Sequence, residues 1–100
     1  MHSSLPLDET TLASFCNRCH IRRLSLFGSQ LKGLARPNSD LDLLVEFDPG
    51  QEPGLIALAA MELELSALLG GRPVDLRTAQ DLSRYFRDEI VRTAEVQYAR

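Results

Sequence analysis

One hundred residues is the length of one small domain, enough chain to bury one core. Hydrophobic residues make up 44% of it and charged residues 25%, an ordinary globular balance. The net charge of −3 argues against a protein that coats nucleic acid, because such proteins carry a basic face. It leaves room for a site that handles a nucleotide, since metal ions can supply positive charge locally. From His2 to Asp8 there is no basic segment followed by an apolar run, and no stretch approaches the ~20 apolar residues that span a bilayer. A cytoplasmic protein with reduced cysteines and no membrane partner is therefore expected.

Leu7 to Asn17 reads as a first helix, with Asp8 as N-cap and Leu12, Phe15 and Cys16 at helical spacing. Ile21 to Phe27 switches to alternation and reads as a strand. Gly28-Ser29 ends it, and a short helix from Ser29 to about Gly33 follows. Pro37 and Asn38 mark a turn. A second strand follows, in which Leu41, Leu43 and Val45 alternate with Asp40, Asp42, Leu44 and Glu46. After the breaks at Asp48-Pro49-Gly50 and Pro53-Gly54, Leu55 to Leu69 is a helix with its main stripe at Leu58, Met61, Leu65, Leu68 and Leu69. Gly70-Gly71 stops it. Pro73 to Arg77 is a short third strand, and Gln80 to about Thr93 a last helix with Leu82, Phe86 and Ile90 on one side. Glu95 to Tyr98 either closes as a strand or stays irregular. With no repeat, low-complexity tract or linker, residues 1–100 read as one α/β (α+β) domain, a small sheet of three or four strands packed with helices.

Three features of this chain converge on one chemistry. Gly28-Ser29 sits at a strand-to-helix junction, where glycine admits a phosphate close to the backbone and the helix N-terminus offers free N–H groups. Asp40 and Asp42 lie two apart on a strand, so both carboxylates project from one face. Like charges that close repel unless neutralised, and a hard divalent cation such as Mg²⁺ does so through carboxylate oxygens. A solvated strand face bearing two harmless acids explains the same pattern. Asp75 is a lone acid between Val74 and Leu76, costly to bury unpaired. It joins the other two if its strand lies beside the second, and otherwise it faces water from an exposed edge.

The run Gly28-Ser29-Gln30-Leu31-Lys32-Gly33, followed by Asn38-Ser39-Asp40-Leu41-Asp42-Leu43-Leu44-Val45, resembles the signature of DNA polymerase beta-like nucleotidyltransferases. Within that superfamily the chain most resembles the minimal nucleotidyltransferases that pair with HEPN-domain proteins in toxin–antitoxin systems. The likeness extends through Glu46-Phe47 to Val74-Asp75-Leu76. It implies that fold, with ATP or a related triphosphate as substrate and two Mg²⁺ ions as cofactors. It also implies that Gly28 and Ser29 hold phosphates, with Lys32, Gly33 and Ser39 among the nucleotide-binding positions. Asp40 and Asp42 would ligate metal, and Asp75 would help hold the catalytic ion and assist deprotonation of the attacking hydroxyl. Many members carry arginine where this chain has Lys32, which keeps the charge but loses the bidentate fork.

So small a chain has little left with which to recognise an acceptor, and the resemblance implies that a HEPN toxin brings it, with adenylate transferred to a tyrosine of that partner. A non-catalytic antitoxin acting by steric contact is the alternative. Ile56, Ala59 and Leu63 form a second apolar line on the long helix, either buried within the domain or available to a partner, so homo- and hetero-oligomers both stay open. Arg84, Arg87 and Arg92 read as a solvated face. Cys16-Asn17-Arg18-Cys19-His20 fits a C-x-x-C-H haem-attachment pattern, but two small apolar side chains at a helix end account for it more simply.

Overall fold

A computed structural model describes residue 5, residues 7–27 and residues 41–100. The positions expected to form the short helix and turn after the first strand, together with Gly28, Ser29, Lys32, Gly33, Ser39 and Asp40, lie outside the described residues.

The first helix, α1 (Glu9–Arg18), starts where a side chain can satisfy its free N–H groups. Asp8 Oδ2 accepts from the Thr11 N–H at 3.2 Å, and the Thr11 hydroxyl donates to Asp8 Oδ1 at 2.6 Å. Leu12, Phe15 and Cys16 are buried, as their spacing predicts. His20 takes a left-handed conformation (φ 59°) that turns the chain into strand β1 (Ile21–Phe27).

Strand β1 pairs antiparallel with β2 (Leu41–Phe47), matching Leu24 with Val45, Leu26 with Leu43 and Phe27 with Asp42. A register shift between Ile21 and Arg23 breaks the simple alternation expected for β1. It leaves Arg22 and Arg23 both exposed and both within ion-pair range of Glu46, at 3.8 and 3.4 Å.

Strand β3 (Val74–Arg77) pairs parallel with β2. Parallel neighbours need a crossover, and helix α2 (Leu55–Leu68) lies within it. That helix ends at two left-handed glycines, with the Gly71 N–H returning to Ser66 O at 2.8 Å. Strand β4 (Glu95–Ala99) forms, and pairs antiparallel with β1, so the sheet order is β3-β2-β1-β4. The sheet is therefore mixed and four-stranded, at the upper end of the expected size.

The core lies between one face of the sheet and the two helices α1 and α2. Leu24, Leu26, Leu41, Leu43, Val45 and Leu76 point into it from the strands, Leu12 and Phe15 from α1, and Leu65 from α2. An Arg18–Glu64 ion pair ties the two helices together on the outside.

Two expectations need correction. Of the stripe on α2, Leu65 and the following Leu69 are buried and Leu58 and Met61 half-buried, but Leu68 is exposed. The second line stays outside: Ile56 is 89% and Leu63 75% exposed. The last helix is also shorter than its periodicity suggests. A 3₁₀ turn spans Ala79–Asp81, and α3 covers just Arg87–Thr93. Thr78 and Asp81 form a reciprocal cap, Thr78 N–H donating to Asp81 Oδ2 at 3.2 Å, and Leu82 then turns extended (ψ 146°). The Arg87 guanidinium donates to Ala79 O at 2.6 Å and Leu82 O at 3.2 Å, serving carbonyls that a continuous helix would have paired itself. Arg87 is thus a structural bridge, while Phe86 is exposed instead of lying in a stripe.

Candidate active site

Alternation along the strands sorts side chains between the two faces of the sheet. Those of Leu41, Leu43 and Val45 serve the core, so Asp42, Leu44 and Glu46 of β2 project from the opposite face. On β3 the same logic puts Val74 and Leu76 inward and Asp75 and Arg77 outward. The parallel register matches Asp42 with Asp75 and Leu44 with Arg77. Residues so matched share a face, with strand axes about 4.8 Å apart. The two acids are side by side, drawn from distant parts of the chain.

Asp42 lies at the second position of β2 and Asp75 at the second of β3. Asp42 also matches Phe27, the last residue of β1. Three strand ends therefore meet at this edge, and Gly28 and Asp40 are the next residues along the chain from two of them. Of the residues singled out from sequence, Asp42 and Asp75 are brought together here. Asp40 and the glycine-serine run fall outside the described residues.

Electrostatics at this edge involve a residue that the periodicity did not single out. Arg77 Nε donates to Asp75 Oδ2 at 3.1 Å, and its Nη2 sits 3.0 Å from the same oxygen. The hydrogen bond to Asp75 and then its charge push the guanidinium pKa above its ordinary value, with smaller help from Asp42 and Asp81. The spacing of Asp75 and Arg77, two apart on a strand, was the available signal. A second unforeseen contact fixes the strand itself. The Leu76 N–H donates to Glu62 Oε2 of α2 at 2.7 Å, so an edge-strand donor is satisfied by a helix carboxylate.

The donor chemistry suits a hard cation: carboxylate oxygens from two strands, open to solvent on one side. Among the described residues no group of three or more His, Cys, Asp and Glu side chains comes together as a metal cage. Cys16 and Cys19 are free and buried in the core, while His20 is exposed. Desolvation pushes the Cys16 thiol up to about 12, with the charge of Cys19 adding to it. That is the behaviour of a small apolar core residue, and a haem or zinc role finds no support in it. Among the described residues no helix is long and apolar enough to cross a membrane.

The chain is similar to several known proteins. A family model described as a nucleotidyltransferase domain matches residues 9–97. The protein adenylyltransferase MntA of Thermococcus cleftensis is 37% identical over 75 residues, covering 75% of this chain and 73% of that one. A solved structure described provisionally as a minimal nucleotidyltransferase superposes with a TM-score of 0.68 at 39% identity, over 85% of this chain and 84% of the other. A toxin–antitoxin crystal structure with AMP-PNP shares the fold, with a TM-score of 0.72 at 22% identity over 94% and 75% of the two chains. Matched by that family model from residue 9 to residue 97, this chain belongs to the nucleotidyltransferase domain family.

Proposed function

We propose that this protein transfers AMP from ATP to a hydroxyl of a partner protein, a tyrosine of a HEPN toxin, and so acts as the antitoxin of the pair. The observation that carries the reading is the lateral match of Asp42 with Asp75 on the open face of the sheet. The adenylyltransferase name of the Thermococcus relative supports the reaction, and the toxin–antitoxin neighbour with AMP-PNP supports the nucleotide and the setting. A cytoplasmic location suits a consumer of ATP.

In the transfer, the tyrosine oxygen forms a bond to the α-phosphorus, the bond to the β-phosphate bridging oxygen breaks, and pyrophosphate leaves. Asp42 and Asp75, with Asp40, would hold two Mg²⁺ ions, which when bound would supply positive charge to offset that developing on the phosphoryl oxygens. Asp75 takes the hydroxyl proton or passes it to solvent. Gly28 and Ser29 would hold phosphates, with Lys32, Gly33 and Ser39 among the nucleotide-binding positions. The test is intact-protein mass spectrometry of the partner after incubation with ATP and Mg²⁺. One adenylate or more should appear with the wild type and none with Asp40→Ala/Asp42→Ala. An unmodified partner in both samples, still silenced by both, would reject transfer.

A steric antitoxin is the second reading, and one feature favours it. Ile56 and Leu63 expose a large apolar surface on α2, and Leu63 borders an open groove of about 380 Å³ with Ala59, Pro73 and Val74. Such a face suits contact with another protein. Silencing that survives loss of the acids would favour this reading over catalysis.

A further inference from the structure

We propose that Arg77 is the resident counter-ion of Asp75, the acid matched with Asp42, and sets the divalent-cation concentration at which the site loads. The inference rests on the reading of these acids as a cation site and concerns how that site is held before it fills.

Two carboxylates matched across adjacent strands repel each other, and a cation beside either of them eases that repulsion. Strand geometry provides one. Arg77 lies on the same face two residues beyond Asp75, and its lateral match is Leu44, which offers no charge. The guanidinium instead turns back along β3, and both its contacts fall on Asp75 Oδ2. A divalent ion ligated through that oxygen competes with the arginine for it.

The competition is a weak one by construction. The Asp75 side chain is 35% and the Arg77 side chain 48% exposed, so water screens the pair. An arginine so placed does not lock the site. It raises the free-cation concentration needed to fill it by about threefold, the scale of an exposed ion pair. Because Arg77 acts through Asp75, it is a positioning residue and not a catalytic one.

The test reads cation binding directly. Mn²⁺ alone is titrated into the full chain, with free Mn²⁺ followed by electron paramagnetic resonance. Wild type is compared with R77Q, R77K, R84Q and D42N/D75N, and circular dichroism verifies folding of each. R77Q should bind Mn²⁺ about threefold more tightly than wild type, with R77K between them. R84Q, which removes a remote exposed arginine, should match wild type. Equal or weaker binding by R77Q, with D42N/D75N still abolishing it, overturns the role of Arg77 and leaves the site intact. Tightening by R84Q as large as that by R77Q also overturns it, since net charge would then be the cause. If D42N/D75N binds Mn²⁺ as well as wild type does, the carboxylates are not a cation site, and the proposed chemistry falls together with this inference.

Discussion

Replacing Glu62 by alanine should loosen the strand that carries Asp75. Glu62 Oε2 accepts the Leu76 N–H at 2.7 Å, and Leu76 stands between Asp75 and Arg77 on a four-residue edge strand. A hydrogen bond to a charged group contributes about 1.5–3 kcal/mol net. Glu62 is half-exposed, and water can take over part of its role, so about 1–2 kcal/mol is the expected loss. For a domain of this size that corresponds to a fall in Tm of about 4–15 °C. Glu62→Gln keeps an acceptor oxygen and should recover most of it, whereas Glu62→Ala should not. Urea unfolding followed by circular dichroism measures the difference, and the proposed AMP transfer, if the protein performs it, should fall alongside in the folded variant. Matching unfolding midpoints for wild type and Glu62→Ala would refute the claim that this helix carboxylate secures β3.

Leu65 is fully buried, so Leu65→Ala should cost about 2–5 kcal/mol in the same unfolding assay. Cys16 should resist alkylation at pH 8 in the native protein and react once it is unfolded, because burial keeps its thiol protonated. The same shift predicts the pH trend: the folded thiol holds its proton up to about 12 while the unfolded one loses it near 9.0, so stability should decline as pH rises across that window. Ile56→Asp and Leu63→Asp lie on the exposed line of α2 and should change stability by less than about 0.5 kcal/mol. If the steric reading holds, each should weaken co-purification with the partner, and unchanged capture would reject that face as the contact.

Local periodicity carried much of this architecture. The first helix was legible because Asp8, Leu12, Phe15 and Cys16 fall at cap and stripe positions, and β2 was legible because its apolar residues alternate. The end of the last helix near Thr93 was legible but its start was not, since the cap at Thr78 and Asp81 and the reach of Arg87 to two carbonyls are contacts between side chains and backbone that leave no periodic trace. The irregularity at the start of β1 left no sequence trace for a related reason: a shift of register is a property of two paired strands, not of one. Asp75 was recognisable as an unusual acid, yet its place beside Asp42 depends on a parallel pairing between distant segments. Arg77 went unnoticed because its importance comes from what it touches, whereas Asp42 declared itself by what precedes it.

The parallel match of β2 with β3 also governs when the site can exist. A tight turn cannot join parallel strands, so residues 48–73 must be laid down before Asp75 reaches Asp42. A growing chain that has completed α2 possesses one acid of the pair and no site. The lateral match of these two acids is therefore made only after β3 has been synthesised and has joined the sheet.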